Sequence, residues 1–210
     1  MSTLLKGLYA ITQASKSDSR QLFSDVEAAL KGGASMVQYR DKSRNNKLRR
    51  DVTEYLYALC ASFSVPLIIN DDVDLAKTIG AAGVHLGKDD TDLLAARKEL
   101  GDQAIIGVSC YNSLRLAEEA EAAGADYIAF GSFFDSPSKP EAVKADLSLL
   151  QSWRHHKTPV CAIGGITVEN ATELISAGAD MLAVISSLWA ADDIEQQAWM
   201  FSRLFEKTKL

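Results

Sequence analysis

Three cations and two carboxylates, drawn from well-separated stretches of the chain, are the residues whose types and positions could do chemistry: Arg40, Lys42, Lys139, Asp71 and Asp90. The cations could converge on a diphosphate, which carries about three negative charges near neutral pH and is held by guanidinium forks, ammonium point charges and usually a metal. Arg40 directly ends an apolar run, which sets it apart from solvated surface charge, whereas Lys42, close to Arg44 and Lys47, would pass for surface charge on its own. Asp71 and Asp90 also follow apolar runs. Magnesium prefers one or two carboxylates plus phosphate oxygens and retained waters, so the two acids beside the cations suit a metal-diphosphate site. Their neighbours have a plainer reading. Asp72 and Asp74 precede the helix-patterned residues 75–79, and Asp89, Thr91 and Asp92 precede 93–100, where such residues cap helix N-termini and favour the dipole.

Further polar groups fall at other run ends. Gly164-Gly165 and Ser186-Ser187 follow the last two runs, where backbone N–H groups could hold a phosphate monoester, and a Gly at 165 leaves room for such a contact. Ser136, Ser138 and Lys139 lie in 133–145, the longest stretch without clear pattern, whose length suits a functional loop. His85 reads as a packed residue with one hydrogen bond, and as a weak candidate base. His155-His156, beside Lys157, read as surface, and Trp153, Trp189 and Trp199 as outer-layer packing. The chain has no nucleophile-base-orienter triad, Walker phosphate loop or dinucleotide fingerprint.

These groups need a scaffold that gathers many run ends at one place. Short apolar runs recur over 7–12, 35–40, 66–70, 83–86, 104–109, 126–131, 159–163 and 180–186, at a period of roughly 25 residues. Most are continuous Val/Ile/Leu/Ala stretches, as parallel strands buried on both faces require. Between them, 20–31, 45–62, 92–100, 113–123 and 169–177 place apolar residues three and four apart, predicting helices. Eight strand-helix repeats predict an α/β fold, a single (β/α)8 TIM barrel over 1–210, with its site at the C-terminal strand ends. The repeats Lys31-Gly32-Gly33-Ala34, Gly80-Ala81-Ala82-Gly83, Ala122-Ala123-Gly124-Ala125 and Ala177-Gly178-Ala179-Asp180 are expected at the opposite rim, where Gly supplies left-handed helix C-caps.

Composition narrows the class. A 47% hydrophobic and 24% charged content is ordinary for a globular protein, and the net charge of −6 argues against a nucleic-acid or anionic-membrane surface. No run approaches the roughly 20 apolar residues of a membrane span, and the first residues lack a secretory pattern. Cys60, Cys110 and Cys161, an odd and unpaired set, suit a reducing cytoplasm and buried, inert thiols. Small-molecule substrates are the expected partners, and a homo-oligomer is compatible with the sequence.

Taken in order, Gly7-Leu8-Tyr9-Ala10-Ile11-Thr12, Val37-Gln38-Tyr39-Arg40-Asp41-Lys42, Ile69-Asn70-Asp71-Asp72, Gly83-Val84-His85-Leu86-Gly87, Ile106-Gly107-Val108-Ser109, Ala162-Ile163-Gly164-Gly165-Ile166 and Ala183-Val184-Ile185-Ser186 resemble the thiamine-phosphate synthase family over almost the whole chain. The resemblance implies condensation of hydroxymethylpyrimidine diphosphate with a thiazole phosphate, giving thiamine phosphate and diphosphate. It places Gln38, Arg40, Lys42, Asn70 and Lys139 on the pyrimidine diphosphate, with Ser109 in the same site, and assigns Mg2+ to Asp71 and Asp90. Ser136 and Ser138 fall on the thiazole phosphate, with Gly165, Ile185 and Ser186 completing its pocket. This chain departs from the family's usual threonines at Ser136 and Ser138 and from its usual glutamine at Lys88. The implied mechanism is departure of diphosphate, stabilised by magnesium, Arg40, Lys42 and Lys139, rather than attack by a protein nucleophile. Two other readings share the scaffold: a thiazole tautomerase, which needs a placed acid or base and no diphosphate clamp, and a non-catalytic barrel that binds pathway phosphates.

Overall fold

The computed structural model describes residues 5–13, 19–43, 45–87, 90–135 and 143–207. Eight parallel strands, β1 (Gly7–Ile11), β2 (Met36–Tyr39), β3 (Leu67–Asn70), β4 (Gly83–Leu86), β5 (Ile105–Tyr111), β6 (Tyr127–Gly131), β7 (Val160–Ile163) and β8 (Met181–Val184), pair in chain order. The sheet closes through β1 against β8, with Tyr9 beside Ala183. The expected (β/α)8 barrel is therefore the observed one.

Helices α1 (Ser19–Lys31), α2 (Asn46–Ser62), α3 (Val73–Ile79), α4 (Leu93–Leu100), α5 (Leu114–Ala122), α6 (Leu147–Trp153) and α7 (Val168–Ala177) follow the strands in turn. A short α8 (Ser186–Trp189) and a long α9 (Ile194–Lys207) follow β8. Starts and stops follow the local chemistry. Asn45, Asp72, Asp92, Ser113 and Asp146 each accept a backbone N–H of the first turn through the side chain, filling donors that a helix start leaves unpaired. Gly80 closes α3 at φ +72°. Gly32 serves a different purpose, since a Cβ there would lie 2.3 Å from the Glu195 carbonyl oxygen of α9. Its bareness lets α9 lie against the end of α1, where Ser202 Oγ also donates to Gly33 O at 2.9 Å.

Two apolar layers result. The larger, between strands and helices, contains Val37, Ile69, Val84, Ile106, Phe130, Leu182 and the helix faces. The second fills the barrel interior with Tyr9, Ile11, Met36, Ile68, Tyr127, Ala129, Cys161, Met181 and Ala183. Trp153 is buried in the outer layer as expected, whereas Trp199 is 49% exposed with the Arg203 guanidinium over its ring. His156, read from sequence as surface, is half-buried. Its ring stacks on Trp153 at 3.7 Å between centroids and Nδ1 lies 2.7 Å from Glu121 Oε2. The three cysteines are free and buried, and burial pushes the Cys60 and Cys110 thiols up to about 12. Among the described residues no helix is long and apolar enough to cross a membrane.

Candidate functional site

Toward the C-terminal strand ends the interior turns polar. Gln38 on β2, Asn70 on β3, His85 on β4 and Ser109 on β5 are successive strands' contributions, and the register sets Asn70 beside His85 and His85 beside Gly107. Gly107 in turn is registered against Tyr127. A Cβ on Gly107 would lie 1.9 Å from Tyr127 Cζ, so this residue is bare because the tyrosine ring crosses over it. The His85 and Tyr127 rings, on either side of that gap, stack with centroids 5.5 Å apart.

A continuous line of hydrogen bonds results. Gln38 Nε2 donates to Tyr9 OH at 2.7 Å, Tyr9 OH lies 2.9 Å from Tyr127 OH, Tyr127 OH lies 2.9 Å from His85 Nδ1, and His85 Nε2 lies 2.8 Å from Ser109 Oγ. His85 thus has both ring nitrogens engaged, where the sequence suggested one. Gln38 is 2% exposed and the tyrosines are fully enclosed, so burial holds both phenols far above their ordinary ionisation range, as neutral O–H groups. After Ser109 the β5–β6 register shifts, a bulge that re-aims the strand end beside the site.

The acids and cations stand at the rim. Asp71 follows β3 in a left-handed conformation, φ +64°, which Asp tolerates better than most residues, and its N–H donates to His85 O at 2.9 Å. Burial, followed by the hydrogen-bonded carboxyl of Asp90, pushes Asp71 up to about 6, while Lys42 and Arg40 pull the other way. The structure therefore brings Asp71, Asp90, Arg40 and Lys42 within electrostatic reach of one another. Asp90 Oδ2 also accepts from Gly87 N–H at 2.6 Å. A half-buried carboxyl hydrogen-bonded to a second one is a donor set that a hard divalent cation would relieve, so this pair fits magnesium. Among the described residues no group of three or more His, Cys, Asp or Glu gathers for a metal. Asp72 keeps to the structural duty expected of it, accepting from Leu75 N–H and pairing with Arg49 at 2.8 Å. Arg40 N–H donates to the buried Thr12 hydroxyl at 3.0 Å, tying the end of β2 to that of β1.

Of the remaining expected residues, Gly165, Ile185 and Ser186 are described, and they follow β7 and β8 at the same end of the barrel. Gly164 and Gly165 both have positive φ, and Asn170 Nδ2 donates to Gly165 O at 3.1 Å. The space beside Gly165 is taken by the chain itself: a Cβ there would lie 2.4 Å from Asp135 O and 2.7 Å from Phe134 Cβ. The loop after β6 is laced onto this turn by Phe133 N–H to Ile163 O and Phe134 N–H to Gly164 O. Ser187 Oγ donates to Ile166 O at 2.5 Å, joining the turn to the start of α8, which Ile185 and Ser186 form. Ser186 Oγ lies 3.4 Å from Gln13 Nε2. Ser136, Ser138, Lys139 and Lys88 lie outside the described residues. Sequence reasoning missed Tyr9 and Tyr127. Unbroken apolar patterning leaves no signal for them in the sequence: Tyr127 meets Gly107 through the β5–β6 register, and Tyr9 joins it in the inner layer.

Comparison with known proteins gives this site its context. Residues 8–188 match the family model described as thiamine monophosphate synthase. A thiamine-phosphate synthase of Thiobacillus denitrificans is 52% identical over 206 residues, 98% of this chain and 97% of that protein. One from Methylobacillus flagellatus is 50% identical over 96% of each chain. The solved thiamine phosphate pyrophosphorylase of Pyrococcus furiosus superposes with a TM-score of 0.87 at 33% identity, covering 100% of this chain and 99% of that one. The chain belongs to the thiamine monophosphate synthase family.

Proposed function

We propose that this chain joins hydroxymethylpyrimidine diphosphate to a thiazole phosphate, or to its carboxylate form with loss of carbon dioxide as well, releasing diphosphate and giving thiamine phosphate. The observation that carries the reading is the meeting of Arg40 and Lys42 with the Asp71–Asp90 pair above a polar barrel mouth. A cation-lined rim over paired carboxylates suits a leaving diphosphate. Family membership and identities near 50% support the same chemistry.

In this reaction the bond from the pyrimidine methylene carbon to the diphosphate oxygen breaks and its electron pair leaves with the diphosphate. The electron-rich aminopyrimidine carries the positive charge until the thiazole nitrogen's lone pair forms the new C–N bond. Arg40, Lys42 and Lys139 stabilise the charge that develops on the leaving group, and preorganised cations do so without reorganising. Gln38, Asn70 and Ser109 orient the pyrimidine. Gly165, Ile185 and Ser186, with Ser136 and Ser138, hold the thiazole phosphate opposite it, so the reacting atoms meet in a fixed geometry. Asp71 and Asp90 would hold magnesium, whose chemistry when bound is to offset diphosphate charge. The tautomerase alternative is disfavoured because its candidate base, His85, is engaged at both ring nitrogens. The reading also places the chain with small-molecule partners in a reducing, cytoplasmic setting.

The test is turnover of the two substrates, with diphosphate release measured with and without magnesium. Release that requires both substrates supports the synthase. Isomerisation of thiazole carboxylate phosphate with no binding of pyrimidine diphosphate overturns it.

A further inference from the structure

We propose that Gln38, Tyr9, Tyr127, His85 and Ser109 form a one-way hydrogen-bond relay that locks His85 in its Nε2–H tautomer and so presents the Ser109 hydroxyl as a donor to a ring-nitrogen acceptor of the substrate. The identity of that substrate, an aminopyrimidine, rests on the reading above.

The direction follows from counting protons. Gln38 offers an amide N–H to Tyr9 OH, at 2.7 Å. A phenol has one hydrogen, and Tyr9 directs its own toward the next oxygen, Tyr127 OH at 2.9 Å. Tyr127, accepting there, has its hydrogen for His85 Nδ1 at 2.9 Å. An imidazole nitrogen that accepts carries no proton, so in neutral His85 the proton resides on Nε2. Nε2–H then donates to Ser109 Oγ at 2.8 Å. Ser109 has accepted, and its hydrogen is left to be donated elsewhere. Both tyrosines are held neutral by burial, so each keeps one hydrogen to pass on, and the amide N–H of Gln38 at the start of the line sets its direction.

The two ends of the relay explain its cost. Gly107 gives up its side chain to let Tyr127 reach His85, and two phenols are enclosed in the barrel core beside an amide. A site that needed only bulk there would be filled with aliphatic residues. Tyr9, Tyr127 and His85 are therefore positioning residues that act through Ser109. The specificity that follows is for a heteroaromatic ring with an unprotonated nitrogen facing Ser109, because a ring presenting N–H or C–H there leaves a buried donor unpaired.

The direct experiment is 15N-detected NMR of the histidine rings in the ligand-free full chain at neutral pH. The sequence has three histidines, so the spectrum is sparse, and His85→Gln assigns the relevant set. A pyrrole-like Nε2 and a pyridine-like Nδ1 on His85 support the relay. The opposite tautomer, or a doubly protonated ring, overturns it. In Tyr127→Phe, which keeps the ring over Gly107, the shifts should move toward a mixture of tautomers; an unchanged tautomer overturns the claim that Tyr127 sets it.

Calorimetric binding of hydroxymethylpyrimidine diphosphate with magnesium gives the second arm. Tyr127→Phe and Ser109→Ala should each weaken binding about tenfold, the scale of one hydrogen bond, and the double variant should bind no more weakly than Ser109→Ala. Additive losses overturn the coupling. Failure of the wild type to bind this ligand would overturn the functional reading and the named acceptor, while the ring shifts would still decide the tautomer.

Discussion

Gly107 and Tyr127 occupy adjacent strands in such a way that a single methyl group on the first would lie 1.9 Å from Cζ of the second. The Tyr127 ring cannot swing away, since it is fully buried and its hydroxyl is bonded to Tyr9 and His85. Gly107→Ala is therefore expected to destabilise the fold by about 1–3 kcal/mol, the usual cost of overpacking, and to uncouple His85 from Tyr127. Urea unfolding measures the first effect, and an unchanged midpoint would show that the ring has room the packing denies.

Asp72 stands next to Asp71 but does different work. It caps α3 through Leu75 N–H and pairs with Arg49, whose side chain is only 17% exposed. Asp72→Ala removes both contacts and should cost about 1–3 kcal/mol of stability, with turnover of the folded fraction unchanged. Denaturant curves and initial rates on the same preparation separate the two.

The barrel was legible because its strands must be apolar on both faces and its helices on one, so runs and periods alternate plainly. The structure trims several runs by a residue or two: the run 35–40 becomes β2, Met36–Tyr39, since Arg40 turns to Thr12. The N-caps Asp72 and Asp92 were legible from type and place alone. What was hidden follows from the same double burial. With no alternation along a strand, nothing marks which residues face the interior, so Tyr9, Tyr127 and the second bond of His85 emerge only once register is fixed. Gly165 was legible as special from its type and place, whereas the loop that packs against it was not, because Phe134 and Asp135 meet it only in the folded chain. His156 was misread because its stacking partner Trp153 and its acid Glu121 lie on different elements.

The Asp71–Asp90 pair sets a pH dependence. Asp71 titrates at about 6 in the folded chain against about 3.9 for an unfolded Asp. The folded state thus holds an extra proton between roughly pH 4 and 6, and stability falls as pH rises through that window. Asp71→Asn removes this loss, and Asn also tolerates the left-handed backbone found there. In chelator near neutral pH the variant should be more stable than wild type, on the order of 1 kcal/mol after discounting for partial exposure, and the advantage should vanish below about pH 4. Added magnesium should raise the melting temperature of wild type more than that of the variant, while turnover drops in the variant. Calorimetric scans across pH check the sign.

Arg40→Ala should act mainly on turnover, because contacts to the departing diphosphate strengthen as charge separates. A loss of two to four orders of magnitude, roughly 3–5 kcal/mol, is the scale for a preorganised electrostatic group. The backbone N–H bond to Thr12 survives the substitution, so the strand end should stay in place. Steady-state kinetics decide: an effect confined to the Michaelis constant for the pyrimidine substrate would make Arg40 a uniform binder and remove it from the departure step.

The opposite side of the mouth separates packing from ligand contact. At Gly165 a Cβ would meet Asp135 O at 2.4 Å and Phe134 Cβ at 2.7 Å, and φ is +64°. Gly165→Ala should thus push the loop after β6 off the turn after β7, lowering stability by about 1–3 kcal/mol and weakening thiazole phosphate binding as a consequence. Ser186, at the first position of α8, is partly buried and contributes a hydroxyl near Gln13. Ser186→Ala should weaken thiazole phosphate binding about tenfold, as expected for one lost hydrogen bond, with the unfolding midpoint within error of wild type. Both variants should bind pyrimidine diphosphate as the wild type does, whereas Lys42→Ala should show the reverse preference. Paired titrations with the two ligands, set beside unfolding curves, test this. A Ser186→Ala protein that lost pyrimidine diphosphate affinity and kept that for the thiazole phosphate would place the second substrate elsewhere.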